Sequence, residues 1–231
     1  MKKTVVIHQP DFFPYIGFFQ RLLYADLFVI LDDVQFLKRG WQHRDKIKVS
    51  YKDKSTWITL KIKKAPTDTK INKTTLAMEE KDKHKLLNQI LLNYKEAPYY
   101  CEIAPIIKKL IMYNETNLAK FNINIIKTLI SIFDINIDII KSSDIKYSGT
   151  KNRLNASIAK EVKATNYLSG LGAKEYFEET PFKENNINVL WQKFKHPIYP
   201  QLHGDFIPNL SCIDLLFNCG IENSKNIIRK C

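Results

Sequence analysis

Residues 4–33 read TVVIHQPDFFPYIGFFQRLLYADLFVILDD, and this stretch decides the fold. Residues 4–8 are a short β-branched run closed by Pro10, the pattern of a buried strand. Residues 15–25 space their apolar groups as a helix does, and residues 27–31 are a second short apolar run. Strand, loop, helix and strand in that order make a βαβ unit, so the two strands are expected parallel within one sheet. Ligands in such sheets bind beyond the carboxyl ends of the strands. Those ends are His8-Gln9-Pro10-Asp11 and Asp32-Asp33-Val34-Gln35, polar where the fold rule expects a site.

Outward from this unit, residues 46–63 alternate around Trp57, Thr59, Lys61 and Lys63 and predict a hairpin. Residues 80–95, 98–113 and 115–133 read as three consecutive helices, a cap or layer over the sheet, with Pro105 in a first turn. Residues 135–140 return as a strand. A helix over 151–163, a strand over 166–169, a turn at Gly170-Leu171-Gly172 and a strand over 187–193 follow. Residues 211–218 predict a final short helix capped by Ser211. The expected fold is α/β: a Rossmann-like, mainly parallel sheet with a helical insertion at 80–133, in a single domain spanning 1–231.

The chain has 231 residues, enough for one sizeable core, and its 45% apolar and 26% charged content is that of a globular protein. The net charge of +12 rests on lysines spread along the chain; the arginines are Arg21, Arg39, Arg44, Arg153 and Arg229. A nucleic-acid binder needs a concentrated basic face and usually arginine for base reading, so no nucleic-acid partner is expected. Small anionic ligands fit the charge better. Four cysteines without a C-x-x-C pattern argue against structural zinc and a disulfide framework. The four-residue apolar run before His8 is too short for a signal peptide, and no stretch is long enough to span a membrane. The expected location is the cytoplasm.

Four segments carry candidate chemistry. His8, at the last position of the first strand, can act as a general base or hydrogen-bond a phosphate. Gln9, Asp11 and Tyr15 share its proline-fixed loop and are read as substrate contacts. Asp32 and Asp33 are read as catalytic, orienting His8 or the substrate. Strand alternation sends them to opposite faces, so one of the two is expected to reach the site. Gln35, Trp41, Gln42 and Arg44 follow, and Arg44 grips phosphate or carboxylate with a fork that lysine lacks. Ser169, Gly170 and Gly172 end a strand with glycines that let backbone N–H groups approach an anion. His196, His203 and Asn209 lie in a proline-rich polar loop of the kind that borders a site. His196 and His203 lack helical spacing and a cysteine partner, so no metal is expected. Asp214 is read as favouring the start of its helix, and Cys212 and Cys219 as core residues. The competing structural readings are a loop-tying histidine, a solvated loop, a tight turn and a proline-stapled crossing.

These motifs taken together resemble the WbqC-like proteins. The resemblance rests on Ile7-His8-Gln9-Pro10 with Phe13-Pro14 and Gly17, on Leu31-Asp32-Asp33-Val34-Gln35-Phe36, and on Trp41-Gln42 with Arg44. Tyr167-Leu168-Ser169-Gly170, Asn209-Leu210-Ser211 and Asp214-Leu215-Leu216-Phe217-Asn218-Cys219-Gly220 extend it over nearly the whole chain, with little from residues 80–133. His43 departs from the family pattern, in which an asparagine often precedes the arginine. The family is associated with O-antigen and capsule gene clusters. The resemblance implies an acyl- or aminoacyl-transferase, a glycyl-transferase among the options, that modifies an amino sugar of surface polysaccharide. Its substrate would be a nucleotide-linked sugar or another small anion, and its donor acyl-CoA or another activated acyl or aminoacyl group. Two other readings stay open. The first βαβ unit also resembles nucleotidyltransferases and adenylate-forming enzymes, although Pro10-Asp11 stands where their second histidine would fall. A non-enzymatic scaffold that binds a sugar nucleotide is the third.

Overall fold

The computed structural model describes residues 2–50 and 54–231. Strand β1 (Thr4–His8) leads through helix α1 (Ile16–Leu22) to β2 (Leu27–Ile30). The two strands pair in parallel from Val5↔Leu27 to His8↔Ile30, as the alternation of apolar runs predicts. A hairpin of β3 (Arg44–Val49) and β4 (Lys54–Thr59) follows. It starts and ends earlier than the expected 46–63, and residues 51–53 lie outside the described residues. Helices α2 (Glu80–Tyr94), α3 (Tyr100–Ile111) and α4 (Leu118–Ile132) form the inserted helical layer. Pro105 lies inside α3, beyond its first turn. The chain then returns through β5 (Asp138–Lys141), α5 (Lys151–Glu161), β6 (Asn166–Ser169), α6 (Thr180–Lys183) and β7 (Asn188–Trp191). It ends in α7 (Cys212–Arg229), which is kinked at Gly220 (φ 72°, ψ 173°). The first arm of α7 is the expected helix over 211–218; the second arm runs beyond it.

The five main strands are all parallel, in the order β5-β2-β1-β6-β7. This is a Rossmann-like α/β arrangement. From β1 the chain moves outward to β2 and β5, then crosses back to lay β6 and β7 on the other side. The strand order therefore reverses between β1 and β6, the position where such sheets open a ligand crevice.

Two apolar layers cover the sheet. Val6, Phe28 and Leu168 face the thicker one, with α1 to α4, α7 and the hairpin. Val5, Ile7, Val29 and Tyr167 face the thinner one, with α5 and α6. Helix α1 is buried on every side, including Gln20 and Arg21. Phe18, Phe19 and Leu22 are at most 1% exposed. Each such side chain contributes ~1.5–3 kcal/mol, which offsets the burial of the two polar neighbours.

Candidate functional site

Strand pairing opens the site. β1 and β2 are paired along four residues up to His8, whereas β1 and β6 pair only at Thr4↔Asn166 and Val5↔Tyr167. Past Val5 and Tyr167 the hydrogen-bonded ladder lapses, and the carboxyl ends of the two neighbouring strands, His8 on one side and Ser169-Gly170 on the other, flank the switch point.

His8 has 33% of its side chain exposed and its ring edge-on to Phe18. Its Nδ1 lies 3.0 Å from the carbonyl oxygen of Gln9. A carbonyl can only accept, so Nδ1 carries the proton and donates. Nε2 keeps its lone pair. Burial, then the Arg21 charge, hold the imidazole well below its ordinary pKa, so it is neutral at physiological pH. The carboxylate that approaches it is Asp11, whose Oδ2 lies 3.6 Å from Nδ1. Asp11 is buried in the loop after β1, and burial raises its pKa to about 7 against the opposing pull of Arg21 and of a Gln42 amide at 3.3 Å. Tyr15, at the start of α1, feels the same Arg21 charge, which opposes the upward push of burial on its phenol.

Arg21 is the residue that sequence reading missed. It lies in α1 and is only 7% exposed. Among the described residues its guanidinium has no ion pair and no hydrogen bond, and its Nε is enclosed without a partner. Its neighbour Gln20 shows the contrast. The Gln20 amide donates to the carbonyl of Cys231 and accepts from Gln192, whose amide also reaches the carbonyl of Gly17. Arg21 reaches the end of β6: a Cβ built on Gly170 would lie 2.6 Å from its Nη1 and 3.8 Å from Gln192 Oε1. Gln192 also lines an open basin of about 500 Å³ shared with Leu171, Lys174, Trp191 and Phe194. The signal was present in the sequence. Gln20-Arg21 sits inside a helix whose other positions are apolar all round, and such a helix is buried.

The remaining expected residues divide. Gln9 and Gln42 join the His8–Asp11 group, because the Gln42 amide donates to both the Gln9 side chain and Asp11. The buried Asp45, on β3, has its proton affinity raised mainly by burial and further by the charge of Asp11. Ser169 is only 2% exposed, and Gly170 borders the Arg21 guanidinium. Gly172 does not border it: a Cβ there meets nothing within 4 Å.

Asp32 is a brace, in contrast to the expected role beside His8. Its carboxylate accepts from Ser142 Oγ, Ser143 N, Ser143 Oγ and Asn72 Nδ2. Asp33 does not diverge from it. β2 ends at Ile30, so strand alternation no longer applies, and Asp33 accepts from the same Ser142 hydroxyl.

Arg44 also differs from its expected role. It donates to the carbonyl of Arg39 and stacks 4.2 Å over Trp57, which itself packs near the half-exposed Trp41. Gln35 donates to the carbonyl of Thr67 and lines a separate hollow of about 410 Å³ with His43 and Lys63.

The late histidines hold their own loop. His196 donates from Nδ1 to the carbonyl of Pro197 and accepts at Nε2 from the Asn209 N–H. Nε2 of His203 donates to the carbonyl of Asn93 on α2. Asp214 accepts from Tyr94, Tyr199 and Gln201 and anchors that loop to α7. Among the described residues no group of three His, Cys, Asp or Glu gathers as a metal site, and no helix is long and apolar enough to cross a membrane.

Comparison with known proteins adds two matches. A model described as the WbqC-like protein family matches residues 9–226. An uncharacterized protein of Mycobacterium tuberculosis is 31% identical over 234 residues, an alignment that covers 100% of this chain and 99% of the relative. No solved structure matches the chain.

Proposed function

Because this chain belongs to the WbqC-like protein family, we propose that it is a group transferase, moving an acyl or aminoacyl group onto an amino sugar destined for surface polysaccharide. The observation that supports this best is the fixed tautomer of His8. Its Nδ1–H is committed to Gln9, and its Nε2 is left unprotonated at the carboxyl end of β1, next to the switch point. The resemblance to proteins of O-antigen and capsule clusters supplies the substrate class.

In the reaction, the sugar amine attacks the carbonyl carbon of the activated donor. A carbon–nitrogen bond forms and the carbon–leaving-group bond breaks, with its electron pair departing on the leaving group. His8 Nε2 takes the proton released by the nitrogen and returns it to the leaving group. In its ionised form, which prevails above about pH 7, Asp11 at 3.6 Å from Nδ1 stabilises the transient imidazolium.

The test is transfer from acyl-CoA or an aminoacyl donor to nucleotide-linked amino sugars, read as product mass. With a productive pair in hand, His8→Ala should lower turnover by about 10²–10⁴-fold while the thermal midpoint stays near that of the parent. A folded His8→Ala protein with undiminished turnover would remove the base assignment. Exchange of pyrophosphate into ATP, in place of transfer, would favour adenylate chemistry.

A further inference from the structure

We propose that Arg21 is the receptor for an oxyanion, a carboxylate or phosphate carried by the ligand, seated beside Gly170 at the carboxyl end of β6. This deepens the transferase reading by naming the group that the crevice recognises.

Arg21 is only 7% exposed and its Nε is enclosed; a guanidinium so placed ordinarily has a carboxylate partner, because an unpaired buried charge costs several kcal/mol. Arg21 has no such partner among the described residues. The nearest candidate, Asp11, does not come within ion-pair distance of it. The surroundings make room for the guanidinium itself. Gly170 has an ordinary φ of −75°, so its backbone does not call for glycine. Space does: any larger residue would press on Nη1 at 2.6 Å. The second neighbour, Gln192, is held by α1 and cannot neutralise a cation. Gln192 and Leu171, the residue after Gly170, also line the open basin, which brings solvent next to the surroundings of Arg21. A planar guanidinium with free N–H groups matches the two oxygens of a carboxylate or a phosphate.

The site also has a chemical consequence. The Arg21 charge is one of the influences that keep His8 weakly basic. An anion seated on Arg21 neutralises that charge and makes His8 a better base once substrate is bound.

The experiment is a titration of the full-length protein with sodium phosphate and, separately, sodium acetate at constant ionic strength, followed by thermal shift and by chemical-shift change of labelled arginine side chains. Wild type should show a saturable response to at least one anion. Arg21→Met should weaken it roughly 10- to 100-fold, the loss expected for charge-assisted hydrogen bonds. Gly170→Ala keeps every charge and an allowed backbone, and it should weaken binding in the same direction by displacing the guanidinium. Response to phosphate alone identifies a phosphorylated ligand, and response to acetate alone identifies a carboxylate. No saturable response in wild type, or an equal response in folded Arg21→Met, overturns the proposal. Binding that persists in His8→Ala while transfer is lost separates this site from the base assignment. Anion binding without transfer to any acceptor would leave the Arg21 site standing and remove the transferase reading.

Discussion

Asp32→Ala separates a brace from a catalyst. The Asp32 carboxylate is 3% exposed and accepts hydrogen bonds from Ser143 Oγ at 2.9 Å, Ser143 N at 3.0 Å, Ser142 Oγ at 3.2 Å and Asn72 Nδ2 at 3.4 Å. These bonds tie the end of β2 to the turn after β5. Truncation leaves Ser142, which is fully buried, with Asp33 as its remaining carboxylate partner. Ser143 is exposed, so water replaces part of what its two groups lose. Hydrogen bonds to a charged group contribute about 1.5–3 kcal/mol each when buried. Removing the cost of burying Asp32 itself recovers some of this. The net loss should be about 2–4 kcal/mol, or roughly 4–16 °C in thermal midpoint for a chain of this length. The assay is urea unfolding followed by far-ultraviolet dichroism, with transfer measured well below the midpoint. Turnover per folded molecule should change less than tenfold. An unchanged midpoint combined with a loss of turnover of about 10²-fold or more would refute the brace and return Asp32 to the reacting centre.

The other predictions concern proton linkage and the kinked helix. Asp11 has its folded-state pKa raised from 3.8 to about 7, so the folded protein holds a proton that the unfolded chain releases between those values. Its contribution to stability is full below about pH 4 and is lost as pH rises to about 7. Asp11→Asn should therefore gain on wild type across that window, by up to about 4 kcal/mol, as seen in unfolding curves at pH 4, 5.5 and 7.5; a difference independent of pH would sink the assignment. Gly220→Ala should destabilise by about 2–4 kcal/mol. Its positive φ excludes other residues, and a Cβ would lie 2.4 Å from the Tyr99 ring. A midpoint equal to that of wild type would show that the kink can relax.

What local chemistry decides was readable along the chain. The β-branched run at 4–8, the apolar helix behind Pro14 and the run at 27–30 required a parallel pair, and the sheet followed because each later strand repeats the same short apolar pattern. The loop after β1 was legible as a polar cluster for the same reason, and the structure brings its His8, Gln9 and Asp11 together with Gln42. Partner choice was not legible. Asp32 meets Ser142 across 110 positions, Arg44 settles on Trp57, and His196 and His203 spend their nitrogens on backbone groups of their own loop and of α2. Arg21 looked like one more helical cation until packing placed it against Gly170 at the end of β6 with its Nε enclosed and no anion beside it. Hydrophobic periodicity is a property of neighbours in sequence and specifies elements. Hydrogen bonds and charge pairing depend on ångström-scale distances between segments far apart in sequence, and only the packed chain sets those distances.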